Sequence, residues 1–378
     1  MLDLIIVSFK RICVMNVFKY FRPNIYFEKA VRYNELYFSE THELNDPHDL
    51  NATYFFEDDP ESWTKLLCLS EKGSAWSIDL HVNPECKHLA KRLNDLFRNI
   101  EFESSDSIKT VVENKAKELE EIFVAALWEG SPTASTFSFT SKSPPKARAE
   151  MCRFELTALL GRGHNQLFYS LSFSKRALEP MMWAHYADGF KGCVLIYGAT
   201  DNKLSVKHHP LAREAYPYPL LPVTYINGDK RISILECAVS GSTKKVAALL
   251  QKNSGWDYEK EVRLLTMEEI DNKFQAILPK VPVNNRQKIL YHSANDLVGV
   301  IFGPRCDEKY KKKIETIIRD NRFYQGQKSF FSLGTTLTND GVVKVTEAAR
   351  CICISQSDGR SPISEDALEN LLLSLGIS

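Results

Sequence analysis

The stretch that decides the fold reads Tyr-Ser-Leu-Ser-Phe-Ser over residues 169–174, Pro-Met-Met-Trp-Ala-His-Tyr-Ala-Asp-Gly over 180–189 and Cys-Val-Leu-Ile-Tyr over 193–197. Serine alternates with apolar residues in the first segment, which is the period of a half-buried strand. Pro180 suits the first turn of a helix and Gly189 suits its end. The last segment is almost continuously apolar, as expected of a strand buried on both faces. The stretch therefore predicts a strand, a short helix and a second strand.

Polar side chains gather on the connection between these two strands. Trp183, His185 and Tyr186 fall on the predicted helix, beside the serine face of the first strand. Polar groups on a connection that buried strands hold in place are typical of functional sites. Trp183 offers a flat face for stacking a base or a nicotinamide ring, although an indole on a short apolar helix more often packs in a core.

The remaining sequence predicts an α+β fold with a mixed, mainly antiparallel sheet. Helical periodicity over residues 85–162 indicates a helical insert, whose last helix is expected to stop at Gly161. A single α+β domain is predicted over 17–330. An appended C-terminal strand and helix tail follows over 331–378, with strands near 341–345 and 350–355 and a helix from about Ser364 to Gly376.

Two interpretations of the N-terminus remain open. Residues 2–9 are apolar but too short to span a membrane, and Lys10 and Arg11 follow them rather than precede them. The segment is either a first strand or helix, or upstream sequence with Met15 as an alternative start. The second interpretation is favoured, so residues 1–16 are predicted to be an extension outside the domain.

Composition limits the class of protein. Lys and Arg together number 48, and so do Asp and Glu. No global field therefore draws the chain to nucleic acid or to a membrane surface. The nine cysteines are scattered and form no CxxC pair, which predicts a reduced, cytoplasmic protein without a zinc site. Its oligomeric state is left open.

A second conspicuous stretch reads Trp-Asp-Tyr-Glu-Lys-Glu-Val-Arg-Leu-Leu over residues 256–265. As a strand, its alternation places Glu259, Glu261 and Arg263 on one face. The arrangement can place a general base or stabilise developing positive charge. The alternative is a structural ladder of ion pairs across neighbouring strands, which contributes little.

Several familiar sites are absent from the sequence. No GxxxxGK[ST], GxGxxG, HExxH or GxSxG pattern occurs. The two glutamates could instead hold a divalent metal together with Asp46, His48 and Asp49.

The chain resembles a bacterial family known as domain of unknown function 2971 over about residues 17–320. A departure is Pro47-His48, which stands where the family often has an aromatic residue after Asn-Asp-Pro. The resemblance is carried by these segments: Lys19-Tyr20, Glu35-Leu-Tyr-Phe-Ser, Leu44-Asn-Asp-Pro, Leu171-Ser-Phe-Ser, Met182-Trp-Ala-His-Tyr-Ala, Gly192, the 256–263 stretch and Val300-Ile-Phe-Gly.

A more distant resemblance suggests a reaction. A basic residue, then Ser-x-Ser on a strand, then Glu-x-Glu near a later strand is similar to ADP-ribosyltransferases that use an Arg–Ser–Glu set. By this analogy Lys19, with Tyr20, or Arg22 meets the phosphates or ribose of NAD, although Lys stands where that fold has Arg or His. Ser172 and Ser174 brace the site.

The same resemblance implies roles for the acidic pair. Glu261 would bond the 2′-hydroxyl of the nicotinamide ribose and stabilise the oxocarbenium ion, and Glu259 would orient or deprotonate the acceptor. Arg263 would keep one carboxylate charged. Trp183, His185 and Tyr186 complete the predicted NAD-binding set.

Three functions are therefore expected in turn. The first is an NAD-consuming, ADP-ribosyltransferase-like effector, such as a toxin or phage-defence protein, with a protein or nucleic acid acceptor and no metal or membrane partner. The second is a metal-dependent nuclease or hydrolase. The third is a non-catalytic interaction module whose Glu–Arg row is structural.

Overall fold

A computed structural model describes residues 14–69, 86–103, 106–129, 145–164, 166–240, 242–269, 288–324, 329–346, 349–353 and 360–377. The strands are β1 (Val14–Phe21), β2 (Glu35–Tyr37), β3 (Thr53–Phe55), β4 (Glu101–Glu103), β5 (Gln166–Ser174), β6 (Cys193–Thr200), β7 (Lys203–Lys207), β8 (Tyr216–Pro219), β9 (Leu221–Pro222), β10 (Thr224–Ile226), β11 (Arg231–Ser233), β12 (Gln251–Asn253), β13 (Glu261–Glu269), β14 (Ile289–His292), β15 (Leu297–Phe302), β16 (Ser329–Leu337), β17 (Val343–Val345), β18 (Arg350–Cys353) and β19 (Arg360–Pro362).

The α-helices are α1 (Ile25–Tyr33), α2 (Pro60–Leu67), α3 (Cys86–Phe97), α4 (Ile108–Glu113), α5 (Ala116–Glu129), α6 (Pro145–His164), α7 (Pro180–Tyr186), α8 (Ile234–Ser240), α9 (Ser242–Leu249), α10 (Glu308–Tyr324) and α11 (Glu365–Leu375). Short 3-10 helices cover Thr41–Glu43, Ser254–Glu259 and Ala294–Asp296. None of the helices in these described ranges combines the length and the apolar character that crossing a membrane requires.

A long sheet forms the centre of the fold. Along its main path the strands follow the order β19, β18, β16, β15, β6, β1, β5, β13, β9. Neighbours on this path are antiparallel except β15 and β16, which run parallel. The predicted fold class, α+β with a mixed and mainly antiparallel sheet, is therefore confirmed.

Both faces of the central strands are covered, which explains the apolar run of β6. Leu195 and Tyr197 belong to a core with α1 and α10, whereas Val194 and Ile196 point into a core with α7 and α11. A strand between two such layers has no solvent face and needs apolar residues throughout. The predicted unit of strand, short helix and strand is confirmed as β5, α7 and β6.

The helices within residues 86–164 build a separate hydrophobic core. Their apolar faces pack together with those of α2 and α8. Helix α6 does not stop at Gly161 but continues to His164. The longer helix is held because Lys245 Nζ donates to the His164 carbonyl at 2.9 Å and the His164 ring packs 4.9 Å from Tyr54.

The two ends of the described chain join the central sheet. Strand β1 begins at Val14, three residues before the predicted domain start, and Val14 pairs with Thr200. Residues 1–13 lie outside the described residues. At the other end, the predicted C-terminal elements correspond to β17, β18 and α11. Helix α11 has Ser364 at its N-cap position and ends at Gly376, whose φ of 67° is left-handed.

Candidate functional site

A polar pocket of about 240 Å³ opens beside β1, β5 and the start of β13. One wall is the serine face of β5, and the opposite wall comes from the segment after β2. The lining residues are Phe18, Lys19, Tyr20, Tyr37, Ser39, Glu43, Leu44, Asn45, Asp46, Asp49, Ser170, Leu171, Ser172, Phe173, Ser174, Met182, Tyr186, Lys252, Glu259 and Glu261.

Strand register brings three parts of the predicted site together. β5 lies between β1 and β13, and Ser174 pairs with Phe18 on one side and with Glu261 on the other. Lys19 follows Phe18, and its Nζ donates to the Ser172 carbonyl at 3.2 Å. A basic residue, a serine row and a glutamate therefore occupy three adjacent strands.

Glu259 reaches the pocket by a different route from the one the sequence predicts. It does not continue strand β13 but ends the 3-10 helix Ser254–Glu259. Lys260 has a left-handed φ of 43°, and this single residue turns the chain before the strand begins at Glu261. The predicted row of alternating side chains on one strand is thus wrong, although the carboxylates still converge.

Arg263 lies beneath the pocket and is fully buried. It forms a two-pronged pair with Asp49, at 2.8 and 2.6 Å, and a second with Glu261, at 2.7 and 2.9 Å. Burial tends to raise the pKa of Glu261, but Arg263 and Lys252 outweigh it and lower that pKa to about 2. Glu261 is therefore an ionised carboxylate of fixed orientation.

Lys252 is the second cation of this buried network. Its Nζ lies 2.6 Å from Glu259, 3.1 Å from Glu261 and 3.5 Å from Asp49. Burial opposes its charge, but the three carboxylates raise the pKa of Lys252 above the usual lysine range. The ammonium is therefore held in its charged form, and it separates the two glutamates electrostatically.

Glu259 differs from Glu261 in its protonation. Burial and the nearby charge of Glu261 raise the pKa of Glu259, against the opposing effect of Lys252. Its other oxygen accepts a hydrogen bond of 2.5 Å from the hydroxyl of Tyr186 on α7. Two carboxylates whose environments push their pKa values apart can take different roles in one reaction.

Lys19 is the pocket ammonium with the weaker hold on its proton. Burial lowers its pKa to about 8, and the charge of Glu261 opposes this. Its Nζ lies 5.4 Å from the Phe21 ring centroid and 5.8 Å from that of Phe173. Lys19 therefore remains mostly protonated at neutral pH and can meet an anionic group of a ligand.

The serines of β5 do different things. Ser174 Oγ donates to the Glu259 carbonyl at 2.6 Å and accepts from the Arg176 amide, so it braces the loop that carries Glu259. A hydrogen bond from Ser172 helps to lower the pKa of Glu261. Ser170 is 2% exposed, and its hydroxyl has no hydrogen-bond partner among the described residues.

Three predicted ligand-binding residues do not line the pocket. Trp183 is fully buried, and its indole donates to the Ala177 carbonyl at 3.0 Å, so it offers no stacking face. That prediction is corrected: the indole fills the core between α7 and the sheet. His185 and Arg22 are exposed, with an Arg22 guanidinium nitrogen 3.5 Å from the His185 carbonyl. Tyr20 does line the pocket, and its hydroxyl donates to the Arg176 carbonyl.

Several site residues escaped the sequence interpretation. Lys252 and Tyr37 were not singled out, Asn45 was assigned only to a turn, and Asp49 was named only as a metal ligand. All four come from segments distant from the two motifs in sequence, and nothing in the local pattern predicts their pairing. The one available signal was the family segment Leu44-Asn-Asp-Pro, which does form a pocket wall.

The carboxylates are arranged for pairing with cations rather than with a metal. Asp49, Glu259 and Glu261 each have Arg263 or Lys252 within salt-bridge distance, and His48 is exposed. Across the part of the chain that the structure describes, no group of three or more His, Cys, Asp or Glu is placed to hold a metal ion.

Comparison with known proteins supports the family resemblance for one segment. Residues 182–264 match the model of a family described as protein of unknown function (DUF2971). The matched segment runs from α7 into β13 and so includes both Tyr186 and Glu261. A comparison with curated proteins and one with solved structures each found no match.

Proposed function

We propose that the protein is an ADP-ribosyltransferase-like enzyme that consumes NAD at this pocket. The observation that carries the proposal is the placement of Lys19, Ser172 and Glu261 on three adjacent strands that share one cavity. This is the spatial order that the Arg–Ser–Glu resemblance implies, with Lys in the first position. The likeness is an analogy of fold and site.

The pocket fits part of a dinucleotide. Its volume of about 240 Å³ lies below the range of about 300–1,000 Å³ that encloses a whole drug-sized ligand. The nicotinamide ribose would therefore enter, and the pyrophosphate and adenosine would stay outside. Lys19 at the pocket and exposed Arg22 three residues later supply positive charge along the exit path.

The electrostatics suit cleavage of a glycosidic bond. As the bond from C1′ to the nicotinamide nitrogen breaks, the electron pair leaves with nicotinamide and positive charge develops on the ribose. The fixed carboxylate of Glu261 would stabilise that charge. Glu259, whose pKa is raised, would take the proton of the acceptor nucleophile that bonds to C1′. The acceptor is a protein or nucleic acid group, and water gives hydrolysis.

The test is release of nicotinamide from NAD by the full-length protein, followed by chromatography. We expect Glu261→Gln to lower the release rate by at least about 100-fold, which is the usual size of losing one preorganised electrostatic contact. Glu369→Gln, on the exposed face of α11, is the matched control and should react like wild type. Circular dichroism checks that each variant is folded. A folded Glu261→Gln protein that releases nicotinamide as fast as wild type would show the assignment to be wrong.

A second candidate is a non-catalytic interaction module, and the Arg263 network favours it. A buried guanidinium that satisfies two carboxylates by four hydrogen bonds is also what a structural ion-pair network looks like. Under this alternative, Glu261→Gln lowers stability but leaves partner binding intact. Wild-type protein that neither binds NAD nor releases nicotinamide would favour this function over the enzyme.

A further inference from the structure

The pocket has a second end, away from the two glutamates. The carboxylate of Glu261 reaches back to Arg263, which pairs across the strands with Ser172. Ser170 lies two residues further along β5, about 7 Å away at the usual rise of a strand. At that level Ser39 pairs with Ser170 through two backbone hydrogen bonds and brings in the segment after β2.

This end presents an aromatic ring held by an acidic side chain. Tyr37 is 45% exposed and lines the pocket, and its hydroxyl donates to Glu43 at 2.6 Å. Glu43 also accepts from the Glu40 amide at 2.9 Å, which fixes the carboxylate at the start of a 3-10 helix. The Tyr37 ring is thus anchored at its tip.

The charge of the lining favours a cation. The pocket is lined by five carboxylates, from Glu43, Asp46, Asp49, Glu259 and Glu261, against two ammonium groups, from Lys19 and Lys252. Behind the lining, Arg263 neutralises part of this charge, and Lys288 does so too, pairing with Glu40 and lying 3.8 Å from Glu43. Negative charge still exceeds positive charge at the wall. A phosphate would be repelled at this end, whereas a cationic ring over Tyr37 would be attracted.

An unsatisfied polar group marks the same end. Ser170 is 2% exposed, lines the pocket and shares its strand face with Ser172 and Ser174. Its hydroxyl has no hydrogen-bond partner in the described part of the chain. A buried hydroxyl without a partner is costly, and a polar substituent of a ligand would supply the missing partner.

We infer that Tyr37, Glu43 and Asp46 form a subsite for a cationic aromatic ring with a polar substituent. In the proposed reaction this ligand group is the pyridinium carboxamide of oxidised NAD. Its ring stacks on Tyr37 between the two carboxylates, and its carboxamide points to Ser170. The identity of the ligand rests on the proposed function, whereas the preference for a cationic ring rests on the wall itself. The about 7 Å between Ser172 and Ser170 matches the length of one substituted ring attached to a ribose carbon beside Glu261.

Titration calorimetry with two pairs of compounds tests the charge preference. The first pair is 1-methylnicotinamide, a cation, against neutral nicotinamide. The second is NAD in its oxidised form against NADH, whose ring is neutral. We expect wild type to bind the cationic member of each pair more tightly. Glu43→Gln should weaken binding of the cationic members about three- to tenfold and leave the neutral members unchanged.

The ring is tested with Tyr37→Ala and Tyr37→Phe. Loss of the ring should weaken 1-methylnicotinamide about tenfold, and Tyr37→Phe should retain most of the affinity. Tyr324→Ala, at a residue that is 85% exposed on α10, is the matched control. Asp46→Asn is the second charge variant and keeps an oxygen for the amide of His48, which Asp46 caps at 2.9 Å.

The outcomes separate this subsite from the proposed function. Binding of 1-methylnicotinamide that depends on Tyr37, without nicotinamide release from NAD, supports the subsite and overturns the enzyme. Nicotinamide release with equal affinity for cationic and neutral rings overturns the subsite and supports the enzyme. Equal losses for NAD and NADH in Glu43→Gln, or unchanged affinity in Tyr37→Ala, also overturn it.

Discussion

Arg263 shows how one side chain decides whether this pocket holds its shape. It is fully buried and satisfied by two carboxylates. Removing it would leave Asp49 and Glu261 buried beside each other, with only lysine for compensation. The guanidinium thus acts beneath the pocket and positions Glu261 without touching a ligand.

Replacing Arg263 should therefore cost much more stability than replacing a surface arginine. We expect Arg263→Met to lower the free energy of unfolding by about 3–5 kcal/mol. Arg263→Lys keeps the charge but loses the fork that pairs with both carboxylates, so it should fall in between. Urea unfolding measures each midpoint. Arg319→Met, at an arginine that is 39% exposed, should change stability by no more than about 0.5 kcal/mol. A similar small change for Arg263→Met would show that the network is not structural.

Tyr186 controls the protonation of Glu259. Its hydroxyl hydrogen bond of 2.5 Å stabilises the carboxylate and so lowers the pKa of Glu259, although burial keeps the net pKa raised. Removing that hydroxyl should raise the pKa of Glu259 further. If Glu259 is the proposed base, the acid limb of the pH profile of nicotinamide release moves upward by about one pH unit in Tyr186→Phe. Tyr33→Phe, at an exposed tyrosine of α1, should leave the profile unchanged. An unshifted limb in Tyr186→Phe would contradict the role of Glu259.

The sequence reveals the chemistry of the site better than its geometry. Glu259, Glu261 and Arg263 stand out as a motif, and all three do belong to one cluster. Their route to it depends on the left-handed turn at Lys260, which alternation alone does not predict. Asp49 and Lys252 join through tertiary contacts that no local pattern records. Trp183 was assigned to a ligand because residue type does not reveal which face of a short helix is buried.

At the scale of elements, the turn at Lys260 links the 3-10 helix of Glu259 to the strand of Glu261. A left-handed conformation is strained for a side chain branched at Cβ and relaxed for glycine. We expect Lys260→Gly to keep or slightly raise stability, and Lys260→Ile to lower it by about 1–2 kcal/mol. Thermal unfolding measures both variants. Equal stability of the Gly and Ile variants would contradict the importance of this turn.

A second element contains two buried groups that titrate in opposite directions. Burial and the charge of Arg322 lower the pKa of His292, at the end of β14, to about 4. Its folded pKa lies below the usual value of about 6.5. The unfolded chain therefore binds more protons, and stability falls as the pH drops from about 6.5 to about 4. Four residues later, burial raises the pKa of Asp296 to about 7. The folded state then binds more protons, so this group lowers stability as the pH rises from about 4 to about 7.

Asp296→Asn should separate these two effects. The amide oxygen can still accept from the Ser205 amide, which donates to Asp296 at 3.0 Å. We expect the variant to gain stability relative to wild type as the pH rises from 5 to 7, by up to about 2 kcal/mol. Urea unfolding at pH 5, 6 and 7 gives the difference. Parallel pH dependences of the two proteins would contradict the raised pKa of Asp296.

The fold class was predictable from the sequence because each main signal is a local periodicity. β5, α7, β6 and α11 follow from alternation, capping residues and apolar runs. Helix α6 exceeds its predicted end because Gly161 is held in the helix by packing and by Lys245, which lies 81 residues beyond His164 in sequence. Boundaries set by such distant contacts are not encoded locally.

At the scale of the whole molecule, the C-terminal helix supports the site from the far side of the sheet. Leu371 and Leu375 on α11 are 2% and 3% exposed and share a core with Trp183 on α7, the helix that carries Tyr186. We expect Leu371→Ala to lower the free energy of unfolding by about 2–5 kcal/mol, because it leaves a cavity in that core. Leu373→Ala is a matched control on the same helix, 71% exposed, and should change stability by no more than about 0.5 kcal/mol. If denaturant unfolding gave equal midpoints for the two variants, α11 would not be part of the fold that holds α7 against the sheet.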